Sequence, residues 1–190
     1  FSMDHEMWVH QVGPLTGAGW RVVPYDERGW DRPVHTEPFD YWDLAADGVG
    51  LRDHLGIDRV VRGGMSLGGF LTLRAALTAP ARVRAMVLVD TEAEALSVED
   101  RAQYQGLFDA AGAMGLSGEI GDALQMFLFA PGYADARYWR GKWTSKPIAA
   151  WVGAKDCLFE RDSIVERLGE ITCPSIVFHG DADMAIPVER

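Results

Sequence analysis

Short apolar runs alternate with longer amphipathic stretches along much of the chain. Val83–Val89 is apolar at nearly every position from Met86 onward, which is typical of a parallel strand buried on both faces. We therefore predict a mostly parallel sheet. The runs that predict its strands are Trp20–Tyr25, Arg59–Val61, Val83–Val89 and Ser175–Phe178.

Stretches with helical spacing lie between the first three predicted strands. Phe39–Leu55 carries apolar residues near helical spacing and stops at Gly56, a common C-terminal helix signal. Leu67–Leu77 predicts a second helix, and Pro80 closes it. Strand, helix, strand and helix in this order predict an α/β fold, in which helices flank a parallel sheet through right-handed crossovers.

The stretch from about Thr91 to Leu168 departs from this alternation, and it is too long for an ordinary loop. Helical patterns recur within it, so we predict a helical cap inserted between two strands. Its predicted helices are Asp100–Ala113, Glu119–Phe129 and Ser163–Leu168. The predicted domains are the first part of an α/β core (1–91), the cap (92–168) and the continuation of the core (169–190).

Composition restricts the partners. The chain has 190 residues and a net charge of −10, which disfavours a nucleic acid or an anionic membrane surface. No apolar run approaches the roughly 20 residues of a membrane span, and no signal peptide is visible. Two cysteines, Cys157 and Cys173, are too few for a disulfide scaffold. We expect free thiols and a cytoplasmic location.

The pattern G-x-S-x-G at Gly64–Gly68 is the strongest chemical signal in the chain. A serine nucleophile at the edge of a sheet sits on a tight turn between a strand and a helix, and small residues two positions to either side permit that turn. With 21 glycines in the chain, the bare pattern also arises by chance. The strand-like run before Ser66 and the apolar helix after it favour the nucleophile. The Leu67 amide, at the start of that helix, is then a candidate oxyanion donor.

These residues resemble the α/β-hydrolase superfamily, in its branch of ester, lactone and enol-lactone hydrolases similar to 3-oxoadipate enol-lactonase. Phe1–Trp8 resembles the segment that follows a His-Gly dipeptide in that family, and the resemblance makes the Phe1 amide the second oxyanion donor. Asp26–Pro33 resembles the loop D-x-R-G-x-G-x-S of the family. It departs from that loop at Asp31 and Pro33, where glycine and serine are usual.

The resemblance extends to Cys173–Asp183, which is similar to the strand and turn that carry the acid of a catalytic triad. It assigns the acid to Asp183. A carboxylate just past the C-terminal end of a strand lies at the same sheet edge as Ser66, where it can orient an imidazole. Asp90, which ends the preceding strand, is the alternative acid. A solvated turn is the competing interpretation of the acidic residues here.

The family order is serine, acid, histidine, with the histidine well beyond the acid. None of the five histidines fits: His179 precedes Asp183, and the other four lie earlier in the chain. Because the chain stops at Arg190 and no His-Gly precedes Phe1, we expect a fragment of an α/β-hydrolase, incomplete at both ends.

Zinc and dinucleotide sites are not expected. His5 and His10 are five residues apart rather than the four of a zinc-protease helix, and the Gly17–Gly19 run precedes a strand pattern rather than a helix. No cofactor or metal is predicted.

We expect a serine hydrolase acting on a small carboxylic ester or lactone through an acyl-enzyme. A cofactor-free perhydrolase (haloperoxidase) or a carbon–carbon bond hydrolase of the same fold, and a non-catalytic ligand-binding member of the fold, are the alternatives. The substrate and the oligomeric state are not predicted.

Overall fold

The structure, a computed structural model, describes residues 2–29, 37–145 and 154–190. Three strands of the described residues form one parallel sheet in the order β1-β2-β3. In the register of the sheet, Gly64 lies opposite Leu88 and Leu88 lies opposite Val177. The predicted α/β fold with a parallel sheet is confirmed. The strands are β1 (Val60–Met65), β2 (Val83–Val89) and β3 (Ser175–Phe178).

Two helices pack beside each other, α2 (Tyr41–His54) and α3 (Leu67–Thr78), and α3 also packs against β1 and β2. The side chain of Asp40 caps α2 by accepting hydrogen bonds from two amides of its first turn. Gly56 follows the helix with φ 65°, a left-handed conformation that glycine adopts without strain. Both predicted helices are therefore present, within two residues of their predicted ends.

A short 3-10 helix, His5–Trp8, leads into α1, Val9–Gly17, which the apolar pattern did not predict. The predicted strand Trp20–Tyr25 is wrong, because this segment pairs with no strand of the described residues. Trp20 and Val23 are 47% and 39% exposed, and Pro24 has no N–H for a strand ladder. The segment has no regular secondary structure, and its side chains are exposed or partly exposed.

Among the described residues, four helices, α4 to α7, lie between β2 and β3, and we call residues 98–145 and 154–159, which contain them, the helical segment. Its largest buried side chains are aromatic: Phe108, Trp139, Trp143 and Phe159 are each at most 5% exposed. A 3-10 helix, Val165–Glu170, leads from it to β3. The division of the chain into domains at 91 and 168 stays a prediction. The helices are α4 (Val98–Met114), α5 (Gly118–Leu128), α6 (Ala136–Ser145) and α7 (Lys155–Phe159).

The two ends of the stretch between β2 and β3 meet in a set of contacts that we call the neck. The Ile164 amide donates to the Ala93 carbonyl at 2.9 Å. The guanidinium of Arg161 donates to Glu92 Oε1 at 2.7 Å, and both side chains are 3% exposed. Buried Arg74 of α3 donates to Asp162 Oδ1 at 2.5 Å, so the neck is fixed to the flanking helix as well.

Candidate active site

Ser66 stands at the turn between β1 and α3 with φ 49° and ψ −112°, a conformation that a non-glycine residue rarely adopts. Its amide donates to the Val89 carbonyl, and its carbonyl accepts from the Thr91 hydroxyl, each at 2.9 Å. A strained backbone of this kind persists only where its surroundings enforce it. The structure therefore holds Ser66 in the geometry that G-x-S-x-G predicts.

Two glycines permit this turn. A Cβ on Gly64 would overlap the carbonyl group of Gly68 and lie 2.7 Å from the Gly69 amide. A Cβ on Gly69 would overlap the side chain of Thr91. A Cβ on Gly68 would meet nothing within 4 Å, so the prediction that Gly68 itself must be small is wrong. What the turn requires is that Gly64 lie against the backbone at Gly68.

Leu67 is the first residue of α3, so its amide has no partner within the helix, and the positive end of the helix dipole lies at Ser66. Phe1, the other predicted oxyanion donor, lies outside the described residues. Ser2 lies next to it in the chain and lines the same cavity as Ser66 and Leu67. Sequence reasoning missed Ser2, which is buried and has φ 72°.

A cavity of about 750 Å³ of empty space, including its part open to solvent, lies over Ser66. One wall comes from α3 and the β1 end, and the opposite wall comes from the helical segment. Its apolar lining includes Leu96, Leu107, Phe108, Leu124, Phe127 and Leu158. A concave, mostly apolar pocket with few polar groups is typical of a small-molecule site.

The polar part of the cavity wall is charged. Glu92 and Arg161 of the neck line it together with Asp100 and Arg190, which form an ion pair with each other. Glu92 Oε2 and Arg161 Nε are buried and have no hydrogen-bond partner among the described residues. Burial raises the pKa of the adjoining Tyr104 to about 12, so its hydroxyl stays protonated near neutral pH.

Both candidate acids lie at the carboxyl edge of the sheet. Asp90 Oδ1 accepts from the Gly180 amide at 2.7 Å. Asp183 Oδ1 accepts from the amides of Ala185 and Ile186 at 2.7 and 3.0 Å. Asp90, His179 and Asp183 each offer an atom to a group that spans less than 4.8 Å. The structure thus brings the two predicted alternatives together beside the Ser66 turn.

In the described part of the chain, three histidines form hydrogen bonds through their rings, and none of these bonds is to Ser66. His179 Nε2 donates to the Ile186 carbonyl at 2.7 Å, which fixes that nitrogen as a donor. His5 pairs with Asp26, and His10 pairs with Asp135, each at 2.8 Å. The His5–His10 run therefore does not converge on one point. His35 lies outside the described residues.

Some residues of the site had a sequence signal and some had none. Thr91 and Glu92 follow the end of β2, where polar residues reach the carboxyl edge of a parallel sheet, so their position could have been predicted. Arg161 had no such signal, because its partner Glu92 precedes it by 69 residues in the sequence, with the helical segment between them. Arg62 is a charged residue within β1, and sequence reasoning did not find its partner. Its guanidinium donates to the Tyr25 hydroxyl at 2.7 Å.

Comparison with known proteins places the chain. Residues 1–189 match the family described as alpha/beta hydrolase fold, and the chain belongs to that family. The putative carbamate hydrolase RutD of Variovorax paradoxus is 30% identical over 190 residues, covering 95% of this chain and 70% of that protein. The 3-oxoadipate enol-lactonase 1 of Acinetobacter baylyi is 26% identical over 184 residues, covering 95% and 67%.

The same relationship appears in three dimensions. A thermophilic esterase from Thermogutta terrifontis superposes with a TM-score of 0.87 and 26% identity, covering 100% of this chain and 71% of the esterase. These relatives support a hydrolase function in general terms. In the part of the chain that the structure describes, no helix is long and apolar enough to cross a membrane.

Proposed function

We propose that this chain carries the nucleophile of a serine hydrolase that cleaves a small carboxylic ester or lactone through an acyl-enzyme. The observation that carries the proposal is the strained turn at Ser66, enforced by backbone contacts and opening on an apolar cavity. A turn of this kind presents a serine hydroxyl to substrate and sets helix amides behind it.

In the proposed reaction Ser66 Oγ attacks the substrate carbonyl carbon. The base that takes the hydroxyl proton is the triad histidine, which the family order places beyond Asp183 and which is not among residues 1–190. The amides of Leu67 and Phe1 donate to the oxyanion that forms. Collapse of this intermediate expels the alcohol, or opens the lactone ring, as the histidine returns the proton. Water, activated by the same histidine, then releases the acid and restores the serine.

Asp183 is the proposed acid. Its Oδ1 already accepts from two amides, which fixes the carboxylate, and its Oδ2, which lies 3.7 Å from His179 Nε2, is the oxygen proposed to accept from the imidazole N–H of the triad. Asp90 Oδ1 instead ties β2 to the chain after β3 by accepting from the Gly180 amide. We expect Asp183→Asn to lower kcat by about a thousandfold or more. Asp90→Asn is the matched control, and a larger loss in that variant would make Asp90 the acid.

The cavity also bears on the substrate class. Because most of its lining is aliphatic or aromatic, the acyl or alcohol part of the ester contributes binding energy through apolar contact. Short-chain aryl and alkyl esters and small lactones are the substrates to test first. Values of kcat/KM for esters of increasing chain length would show the largest acyl or alcohol group that the cavity accommodates.

The proposed nucleophile is tested in the full-length protein expressed from its source gene. We expect a fluorophosphonate probe to add once, at Ser66, and we expect Ser66→Ala to lose both the adduct and ester hydrolysis. Ser145→Ala, at an exposed serine of α6, should leave both unchanged. Full hydrolysis in Ser66→Ala would end the proposal.

Two further results would redirect the proposal. Peroxide-dependent halogenation that exceeds ester turnover would favour a perhydrolase with the same nucleophile. Tight binding of an ester without turnover in the full-length protein would favour a ligand-binding member of the fold.

A further inference from the structure

A hydrogen bond connects α6 to the chain beside the proposed oxyanion donor. Trp143 Nε1 donates to the Ser2 carbonyl at 3.0 Å. Both residues are buried, with 1% of Trp143 and 3% of Ser2 exposed. Water therefore does not compete for this bond, and a carbonyl left without it would be costly to bury.

Ion pairs reinforce the same connection. Lys142 Nζ lies 2.6 Å from Asp4 Oδ2 and 2.9 Å from Glu6 Oε2. The Tyr138 hydroxyl also donates to Glu6. One face of α6 thus holds residues 2–6 at several points, through one buried bond and a set of more exposed contacts.

The held segment is strained where it meets the cavity. Ser2 has φ 72°, which costs a non-glycine residue of order 1 kcal/mol or more. It lines the cavity together with Ser66, and Phe1 is its neighbour in the sequence. Such a conformation needs an external constraint, and the Trp143 bond to the Ser2 carbonyl supplies one.

Trp143 is itself well fixed. Its ring stacks on Phe129 at a centroid distance of 5.7 Å and an interplanar angle of 11°. Its indole is fully enclosed in the aromatic interior of the helical segment, so it does not present its ring to the cavity. Its N–H therefore acts on the reaction only through the backbone at Ser2.

We propose that Trp143 is a positioning residue: by fixing the Ser2 carbonyl in the cavity wall, it restrains the chain that leads to the proposed oxyanion donor. This inference rests on the proposed function, in which the Phe1 amide is an oxyanion donor. Oxyanion donors act only when they lie about 2.7–3.1 Å from the place that the oxyanion will occupy, so a small displacement weakens the transition state more than the bound substrate. The helical segment thereby acts on catalysis as well as on substrate binding.

The test compares two tryptophans of α6 in the full-length protein. Trp143→Phe removes the N–H and keeps an aromatic ring in the packed interior. Trp139→Phe is the matched control, because Trp139 is 2% exposed and belongs to the same interior. We expect kcat for a short-chain ester to fall about 10- to 100-fold in Trp143→Phe, with KM within about twofold. The control should lose less than threefold.

A second readout separates positioning from a general loss of structure. A trifluoromethyl ketone forms a tetrahedral adduct with an active-site serine and places an oxyanion in the hole. Its affinity should fall in Trp143→Phe by the same factor as kcat/KM, while the affinity of the carboxylate product should not change. If Trp143→Phe does not fold, β-(3-benzothienyl)alanine at position 143 keeps the indole shape without its N–H and serves the same comparison.

The outcomes distinguish this inference from the function on which it rests. Equal losses in the two tryptophan variants, or a fall in product affinity that matches the fall in ketone affinity, would overturn the positioning role alone. A wild-type protein with neither ester hydrolysis nor a fluorophosphonate adduct at Ser66 would overturn both proposals.

Discussion

The turn at Ser66 and the helical segment are held in place by different means. At the turn, backbone meets backbone: Gly64 lies against Gly68, and the Ser66 amide donates to a carbonyl of β2. In the helical segment, side chains meet side chains, as where Phe108 contacts Phe159 edge to face at 5.7 Å. Backbone contacts of this kind leave no room for an added atom, whereas packed side chains can repack around a change of similar volume.

The sharpest test of this difference is a single methyl group on β1. Gly64→Ala puts a Cβ into the carbonyl group of Gly68, so the turn must open or the chain must fail to fold. We expect a loss on the order of 4 kcal/mol or more in the free energy of unfolding, measured by urea titration. Gly63→Ala is the matched control, because its Cβ would first meet Val87 at an ordinary 3.6 Å.

A Gly64→Ala protein with near-native stability and full fluorophosphonate labelling would contradict the backbone argument. The turn at Ser66 would then accommodate an added atom, as the packed side chains of the helical segment do.

A second test addresses the neck, where the two regions join. Arg161→Met leaves the buried Glu92 carboxylate without a hydrogen-bonded cation, because Arg190 is 3.9 Å from it. We expect a loss of about 3 kcal/mol in the free energy of unfolding. Arg161→Met combined with Glu92→Leu should regain most of this loss, since two apolar residues can replace a buried ion pair.

Arg167→Met supplies the comparison at the surface. Arg167 pairs with Glu170 at 2.9 Å, but the side chains are 43% and 55% exposed, so solvent screens the pair and we expect no measurable change in the free energy of unfolding. A double variant at the neck that is as unstable as the single one would mean that Arg161 acts through packing on Phe70, over which its guanidinium lies at 4.2 Å.

The smallest expected effect concerns a thiol at the contact between the regions. Cys157 of α7 packs with Tyr41, Leu67 and Phe70, and burial raises the pKa of its thiol far above the usual value. A raised pKa leaves almost no thiolate near pH 8, and access is closed as well. We therefore expect Ellman's reagent to modify Cys173, which is half-buried, at least tenfold faster than Cys157. Equal rates would mean that the helical segment separates readily from α3.

The sequence predicts best what local pattern controls. Val83–Val89 and Ser175–Phe178 are strands over the ranges that their apolar runs predict, and α3 begins directly after Ser66 as the motif requires. The parallel order follows from alternation of strand and helix. The same locality explains the error at Trp20–Tyr25, where a β-rich composition pairs with no strand in the described part of the chain.

Features set by distant contacts were not predicted. Helix α6 has a signal in Trp139 and Trp143, which are four residues apart and share one face, yet its partner on residues 2–6 is far away in the sequence. The pairing of Glu92 with Arg161 likewise depends on a path through the helical segment. The roles of Ser66, Leu67, Asp183 and Phe1 stay predictions, to be decided by the labelling and kinetic tests.

The neck also determines how such a chain can change. Because the Ala93 carbonyl accepts directly from the Ile164 amide, the chain between these two residues starts and ends at nearly one place beside the core. An inserted stretch that is closed by this hydrogen bond costs little more free energy to close when it is long than when it is short, since loop-closure entropy grows only slowly with length. A helical insertion from a related protein, placed between Ala93 and Ile164, would therefore change the cavity wall and leave the turn at Ser66 unchanged.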